Sequence, residues 1–145
     1  VTDLVHLPLP LLRAMQAWVE PAWPGEGCGL LIGAADAEGL RVSRIVETEN
    51  QVRAAGTDRF EIAPRAYLDA ERSLTAGESM LGFFHSHPDC PEVPSETDRR
   101  FAEGWPDFLW LILRVEQGTA AGIRAWRLRP DAGGFDELHL KFDMS

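Results

Sequence analysis

Apolar residues recur along this chain with two different periods, and the switches between them mark its elements. From 8 to 20 the spacing is helical. Leu11, Leu12, Met15, Trp18 and Val19 share one face, Pro8 and Pro10 suit the entrance, and Pro21 and Pro24 end the run. Gly29-Leu30-Leu31-Ile32-Gly33 is short and wholly apolar, the pattern of a buried strand. Residues 39–47 place Leu40, Val42 and Val46 on one face of a second strand. The polar segment 48–58, with Gly56, predicts a loop, and 59–62 a short strand. Pro64 opens a predicted helix through about Ala76, with Tyr67, Ala70 and Leu74 stacked. Residues 79–86, rich in Met80, Leu81, Phe83 and Phe84, predict a central strand. A proline-rich loop over 88–94 follows, and a short helix then starts at Ser95 and stops near Gly104, with Pro106 beyond it. Three more strands are predicted at 108–115, 122–129 and 135–142, the last alternating Leu138, Leu140 and Phe142 against Glu137, His139 and Lys141. Helices and strands thus mix in an α/β or α+β pattern around one mixed sheet.

Composition narrows the picture. With 145 residues, 45% hydrophobic and 26% charged, the chain reads as one globular domain, 1–145, with disorder excluded for most of its length. Asp and Glu outnumber Lys and Arg by 23 to 14, a formal charge of −9, so no basic footprint for nucleic acid or an anionic membrane is present. Two cysteines are too few for a disulfide scaffold or a four-cysteine zinc site and read as free thiols of a reducing compartment. No basic N-terminal region precedes an apolar run, and no stretch reaches the ~20 apolar residues of a membrane span. The expectation is a cytoplasmic protein.

The stretch from His85 to Asp98 carries the candidate chemistry. His85 and His87 end a predicted strand, where a period of two puts both imidazoles on one face. Ser95 and Asp98 stand at i and i+3 of a predicted helix start and share a face there. Two imidazoles and a carboxylate, with a fourth position open to water, make a reasonable catalytic zinc site with ligands ~2.0–2.2 Å from the metal. A proton acceptor is still required. Glu26, a carboxylate in the Gly-rich run Pro24-Gly25-Glu26-Gly27-Cys28-Gly29, is the best candidate if strand 29–33 packs near strand 79–86. Each piece also has a plain structural reading: strand histidines are commonly core or surface residues, and Ser95 with Asp98 is an ordinary capped helix start. Cys90 reads first as a small loop residue, Cys28 as a buried strand residue, and a Cys28–Cys90 bridge stays open. Trp18, Trp23, Trp105, Trp110 and Trp126 read as core and rim aromatics. His6 and His139 lack ligand spacing, Asp89 and Glu92 suit a solvated acidic loop, and Ser86 should face away from the ligands.

Taken together, Glu26, His85-x-His87-Pro88 and Ser95-x-x-Asp98 resemble the JAMM motif of the JAB1/MPN/Mov34 metalloproteases. Phe60-Glu61-Ile62-Ala63-Pro64 before a helix and Gly82-Phe83-Phe84-His85 resemble short bacterial members, and the likeness runs over roughly residues 8–130. The resemblance implies a cytidine-deaminase-like α/β fold, a curved mixed β-sheet flanked by helices. It implies Zn2+ held by His85, His87 and Asp98, Glu26 as general base and Ser95 as oxyanion stabiliser. It further implies an isopeptidase that cuts after the C-terminal Gly-Gly of ubiquitin-fold sulfur-carrier proteins or their fusions, with a homodimer among the expected partners. The substrate tail would lie extended beside a sheet edge, between loops 48–58 and 88–94. Two alternatives remain: an interaction module with the fold and no catalysis, which would generally lack the ligands or the glutamate, and a small-molecule zinc amidase. A zinc deaminase is rejected, because the chain has His-x-His and no Pro-Cys-x-x-Cys.

Overall fold

The computed structural model describes residues 3–52 and 59–144. In chain order it contains β1 (Leu4–Pro8), α1 (Leu9–Val19), a 3-10 turn (Glu20–Ala22), β2 (Cys28–Asp36), β3 (Gly39–Thr48), α2 (Pro64–Arg72), β4 (Ser79–Pro88), α3 (Glu96–Ala102), β5 (Leu109–Glu116), β6 (Thr119–Leu128) and β7 (Phe135–Asp143). Among the described residues the strands form one curved mixed sheet in the order β1-β3-β2-β4-β5-β6-β7, and β1 closes it by pairing in parallel with both β3 and β7. The expected single mixed sheet flanked by helices is therefore present.

The sheet's two faces are packed differently. The face that carries α1 is aliphatic, with Val5, Leu7, Met15, Val19, Leu31, Leu111 and Leu113 among its buried members. The face that carries α2 and α3 is aromatic. Phe83 meets the rings of Phe60, Tyr67, Phe101, Trp105, Phe108 and Trp110 at centroid distances of 4.9–6.3 Å. The histidines stand at the end of that aromatic face.

Four readings change. The strand β1 was not predicted; its five residues pair only with β3 and β7, which are remote in sequence, so α1 begins at Leu9. The strand predicted at 59–62 does not form. The Glu61 N–H goes to the Asn50 side chain at 2.9 Å, and the Glu61 carbonyl accepts from Gln51 N–H at 2.8 Å, although Phe60 and Ile62 are buried. The helix from Pro64 is shorter than predicted and ends at Arg72. Val46 does not share a face with Leu40 and Val42. Ile32 pairs with Arg44 but Gly33 with Val42, so Ser43 is an extra residue, and its hydroxyl donates to the Ile32 carbonyl at 3.3 Å. This bulge reverses the alternation, and Val46 packs on the aromatic side. Of the predicted 48–58 loop, residues 53–58 lie outside the described residues.

Candidate metal centre and active site

The last residues of β4 deliver both imidazoles to the aromatic face, as a period of two requires. His85 is fully buried, stacked on Phe60 at 4.6 Å and edge-on to Trp110 at 6.0 Å. Its Nε2 lies 3.2 Å from His87 Nε2. The Asp98 carboxylate straddles the pair, with Oδ1 3.1 Å from His85 Nε2 and Oδ2 3.1 Å from His87 Nε2. Asp98 is brought there by α3, which opens with a reciprocal cap: Ser95 Oγ accepts from Asp98 N–H at 3.1 Å, and Asp98 Oδ2 accepts from Ser95 N–H at 3.0 Å. The capping reading of Ser95 and Asp98 is therefore present, and it leaves both side chains beside the imidazoles.

The donor set fits a metal ion. His87 Nδ1 is 2.8 Å from the Pro91 carbonyl, which assigns the ring proton to that nitrogen and leaves the Nε2 lone pair facing the carboxylate and the other imidazole. Ring nitrogens and carboxylate oxygens that converge at 3.1–3.2 Å in a buried site could hold a cation between them. Ligands at ~2.0–2.1 Å in a tetrahedron stand about 3.3 Å apart, close to this spacing. Where a proton on Nε2 takes the place of a cation, the same geometry shifts the titrating groups. Burial raises the Asp98 carboxyl, but the charge and hydrogen bond of His85, the bond from His87 and the Ser95 N–H outweigh it and hold Asp98 far below the usual carboxylate range. Burial lowers His87, and the hydrogen bonds to Asp98 and Pro91 with the Asp98 and Glu26 charges outweigh it, so its pKa lies above the ordinary imidazole value.

Glu26 approaches from the other wall. Cys28 of β2 pairs with His85 of β4, and Ser86 N–H donates to the Gly27 carbonyl at 3.0 Å. Continuing the Cys28–His85 register by two residues sets Glu26 opposite His87, on the same face, and both line one cavity. Gly27 has to be glycine here, because a Cβ would come 2.8 Å from Val19 Cα of α1. Glu26 is 2% exposed. It lines a cavity of about 510 Å³ together with His87, Ser95, Cys90 and Pro24, walled by Pro88 at the end of β4 and by Pro91, Val93 and Pro94 of the loop after it. A second cavity, of about 530 Å³, flanks Glu26 between Trp18, Pro24, Thr48, Glu49, Asn50 and Val52.

Several residues outside the motif hold this arrangement. Asp89 is exposed, as a solvated acidic loop requires, and Glu92 is half-buried, but both also make structural ties. Asp89 accepts from Gln117 N–H at 2.6 Å and from Trp23 Nε1 at 3.0 Å, which ties the two walls together at the rim. Glu92 faces Arg114 at 3.5 Å, and its carbonyl accepts from Trp126 Nε1 at 3.1 Å. Ser86 does face away from the ligands, but onto the Glu26 loop. Phe60, part of the stretch that carries the family resemblance, stacks on His85, and Asn50 bonds the Glu26 carbonyl; neither contact has a signal in the local sequence pattern. Both cysteines are free: Cys90 is exposed, and Cys28 is buried, with burial pushing its thiol up to about 11. His139 is exposed, and His6 is buried with Nδ1 3.7 Å from Asp143. No described helix is long and apolar enough to cross a membrane.

The chain is similar to a desampylase of Haloferax volcanii, 36% identical over 90 residues that make up 61% of this chain and 62% of that protein, so the match spans less than two thirds of the relative's length. It is 31% identical to a probable TtuB-protein conjugate cleaving protease of Thermus thermophilus, over 86% of this chain and 76% of the relative. A solution structure of a protein from Desulfitobacterium hafniense superposes with a TM-score of 0.81 at 30% identity, covering 97% of this chain and 94% of the other. The pattern of the prokaryotic homologs of the JAB domain matches residues 8–129, so the chain belongs to that family.

Proposed function

We propose that residues 1–145 form one zinc-dependent isopeptidase domain that hydrolyses the bond after the C-terminal Gly-Gly of ubiquitin-fold sulfur-carrier proteins or their fusions. The observation that carries this reading is the convergence of Glu26, His87 and Ser95 on one cavity, with His85 and Asp98 in contact with His87. The relatives named for desampylation and for cleaving TtuB–protein conjugates support the substrate class. His85, His87 and Asp98 would hold the zinc ion. When bound, zinc supplies Lewis acidity to water and to the scissile carbonyl.

The chain's own residues do the rest. Glu26 accepts the proton of the attacking water as its oxygen bonds to the carbonyl carbon. Ser95 Oγ already accepts from Asp98 N–H, so its hydroxyl proton is left to donate toward the oxyanion. Glu26 then passes its proton to the leaving amine as the C–N bond breaks. The products are a carrier ending in a Gly-Gly carboxylate and a free amine. The extended tail lies between the loop after β4 and Glu49, Asn50 and Val52, which line the two cavities beside Glu26.

The test is intact-mass analysis of a carrier fusion incubated with the zinc-loaded protein, with and without chelator. Cleavage directly after Gly-Gly, abolished by chelation, is expected. A fusion that stays intact, or cleavage indifferent to chelation, overturns the reading.

A further inference from the structure

The peptide unit that follows Glu26 is held at both of its ends. Its carbonyl, Glu26 O, accepts from Asn50 Nδ2 at 2.9 Å. Its N–H, on Gly27, donates to Ser86 Oγ at 2.8 Å in a buried contact. Fixing that plane fixes the backbone rotation at Glu26 and therefore the direction in which its side chain leaves the chain. We propose that Asn50 and Ser86 are positioning residues for Glu26, setting its carboxylate against the metal ligands; this rests on Glu26 acting as the base.

The chemistry of Asn50 is matched to the task. Its Nδ2 donates to Glu26 O and, at 3.4 Å, to Arg59 O, while its Oδ1 accepts from Val52 N–H and Glu61 N–H, both at 2.9 Å. Two donors and two acceptor sites are all in use, which an amide side chain can supply and a carboxylate or an alkyl group cannot. The same side chain thus ties the Glu26 wall to the segment carrying Phe60, whose ring stacks on His85 at 4.6 Å. Ser86 completes the tie from the opposite side. It stands between the two ligands on β4, and its own N–H donates to the Gly27 carbonyl at 3.0 Å. A single strand therefore presents the imidazoles on one face and grips the base's backbone with the other.

Asn50→Asp keeps the acceptor and removes the donor to Glu26 O; Ser86→Ala removes the acceptor for Gly27 N–H. Each should lower kcat on the Gly-Gly fusion by about tenfold to a hundredfold, the range for a misplaced catalytic group, with zinc content unchanged. In a Glu26→Gln background neither should lower kcat further. An equal loss in that background, or no loss in the parent, overturns the inference. Exchange of the Gly27 amide in the zinc-free protein reads the same clamp without turnover. At least about tenfold faster exchange in both variants is expected, with the Leu111 amide of β5 unaffected. If the wild-type protein leaves the fusion intact, the isopeptidase reading falls, and Gly27 exchange alone decides the clamp: no change in either variant refutes it. Should Ser86→Ala fail to fold, Asn50→Asp, on a half-buried side chain, decides the case by the same readouts.

Discussion

On one wall of the cleft, His85 and His87 follow the pleat of β4, and Asp98 follows a reciprocal cap at the start of α3. On the other wall, Glu26 is aimed by Asn50 and Ser86, which lie far from it along the chain. The first wall is built by rules spanning two or three residues, the second by hydrogen bonds across the fold. Damage to the first should therefore remove metal, and damage to the second should remove rate while metal stays. The aromatic face supports the first wall through Phe60 and Trp110, whereas the aliphatic face places the second through α1, where Val19 seats Gly27.

The largest effect expected is on the metal wall. His87→Ala should leave the purified protein without bound zinc by elemental analysis and reduce turnover to that of chelated wild type. Zinc retained in full would break the comparison. Ser95→Ala separates two roles on one residue. Loss of an oxyanion donor should lower kcat by about 10²–10³, while loss of the cap should cost only about 1 kcal/mol in urea unfolding. A kcat loss no larger than the stability loss explains would leave Ser95 as a cap alone. Phe60→Ala should destabilise by about 3 kcal/mol, the range for a buried Phe, and should weaken zinc binding measured by chelator competition, because the ring props His85. Destabilisation with zinc affinity intact would show that the prop is not shared with the site.

The smallest effect is a control remote from both walls. The Arg44 guanidinium, with the Thr75 N–H, pulls the Glu78 carboxyl down from 4.5 to about 2. A carboxyl lowered on folding stabilises above its unfolded pKa and loses that contribution as pH falls through the folded one. Glu78→Gln should therefore melt below wild type at neutral pH, with the gap closing between 4.5 and about 2, and turnover at neutral pH unchanged. A gap that widens on acidification would reverse the sign of this interaction.

The wall that carries His85, His87 and Asp98 was legible in the sequence because its rules are local. His85 and His87 share a face by strand periodicity, and Ser95 and Asp98 by helix start chemistry. Glu26 could be named from the resemblance, but its place opposite His87 depends on the β2–β4 register, which shifts between Leu31 and Ile32 through an irregularity no pattern of apolar residues announces. Asn50 and Ser86 looked like ordinary polar residues because their partners are 24 and 59 positions away. The ties that Asp89 makes were hidden for the same reason: Trp23 and Gln117 reach it from 66 and 28 positions away. The strand β1 was hidden because both its neighbours come from distant parts of the chain, and the segment at Phe60 mimicked a strand because its alternation serves burial while its N–H bonds a side chain.

Zinc-loaded Glu26→Gln, assayed beside wild type on the same Gly-Gly fusion, tests most directly whether the two walls form one hydrolytic site. The expected result is equal zinc content and cleavage slower by at least about 10²-fold, the lower end of what general acid–base help contributes. Cleavage at the wild-type rate with zinc in place would contradict the account.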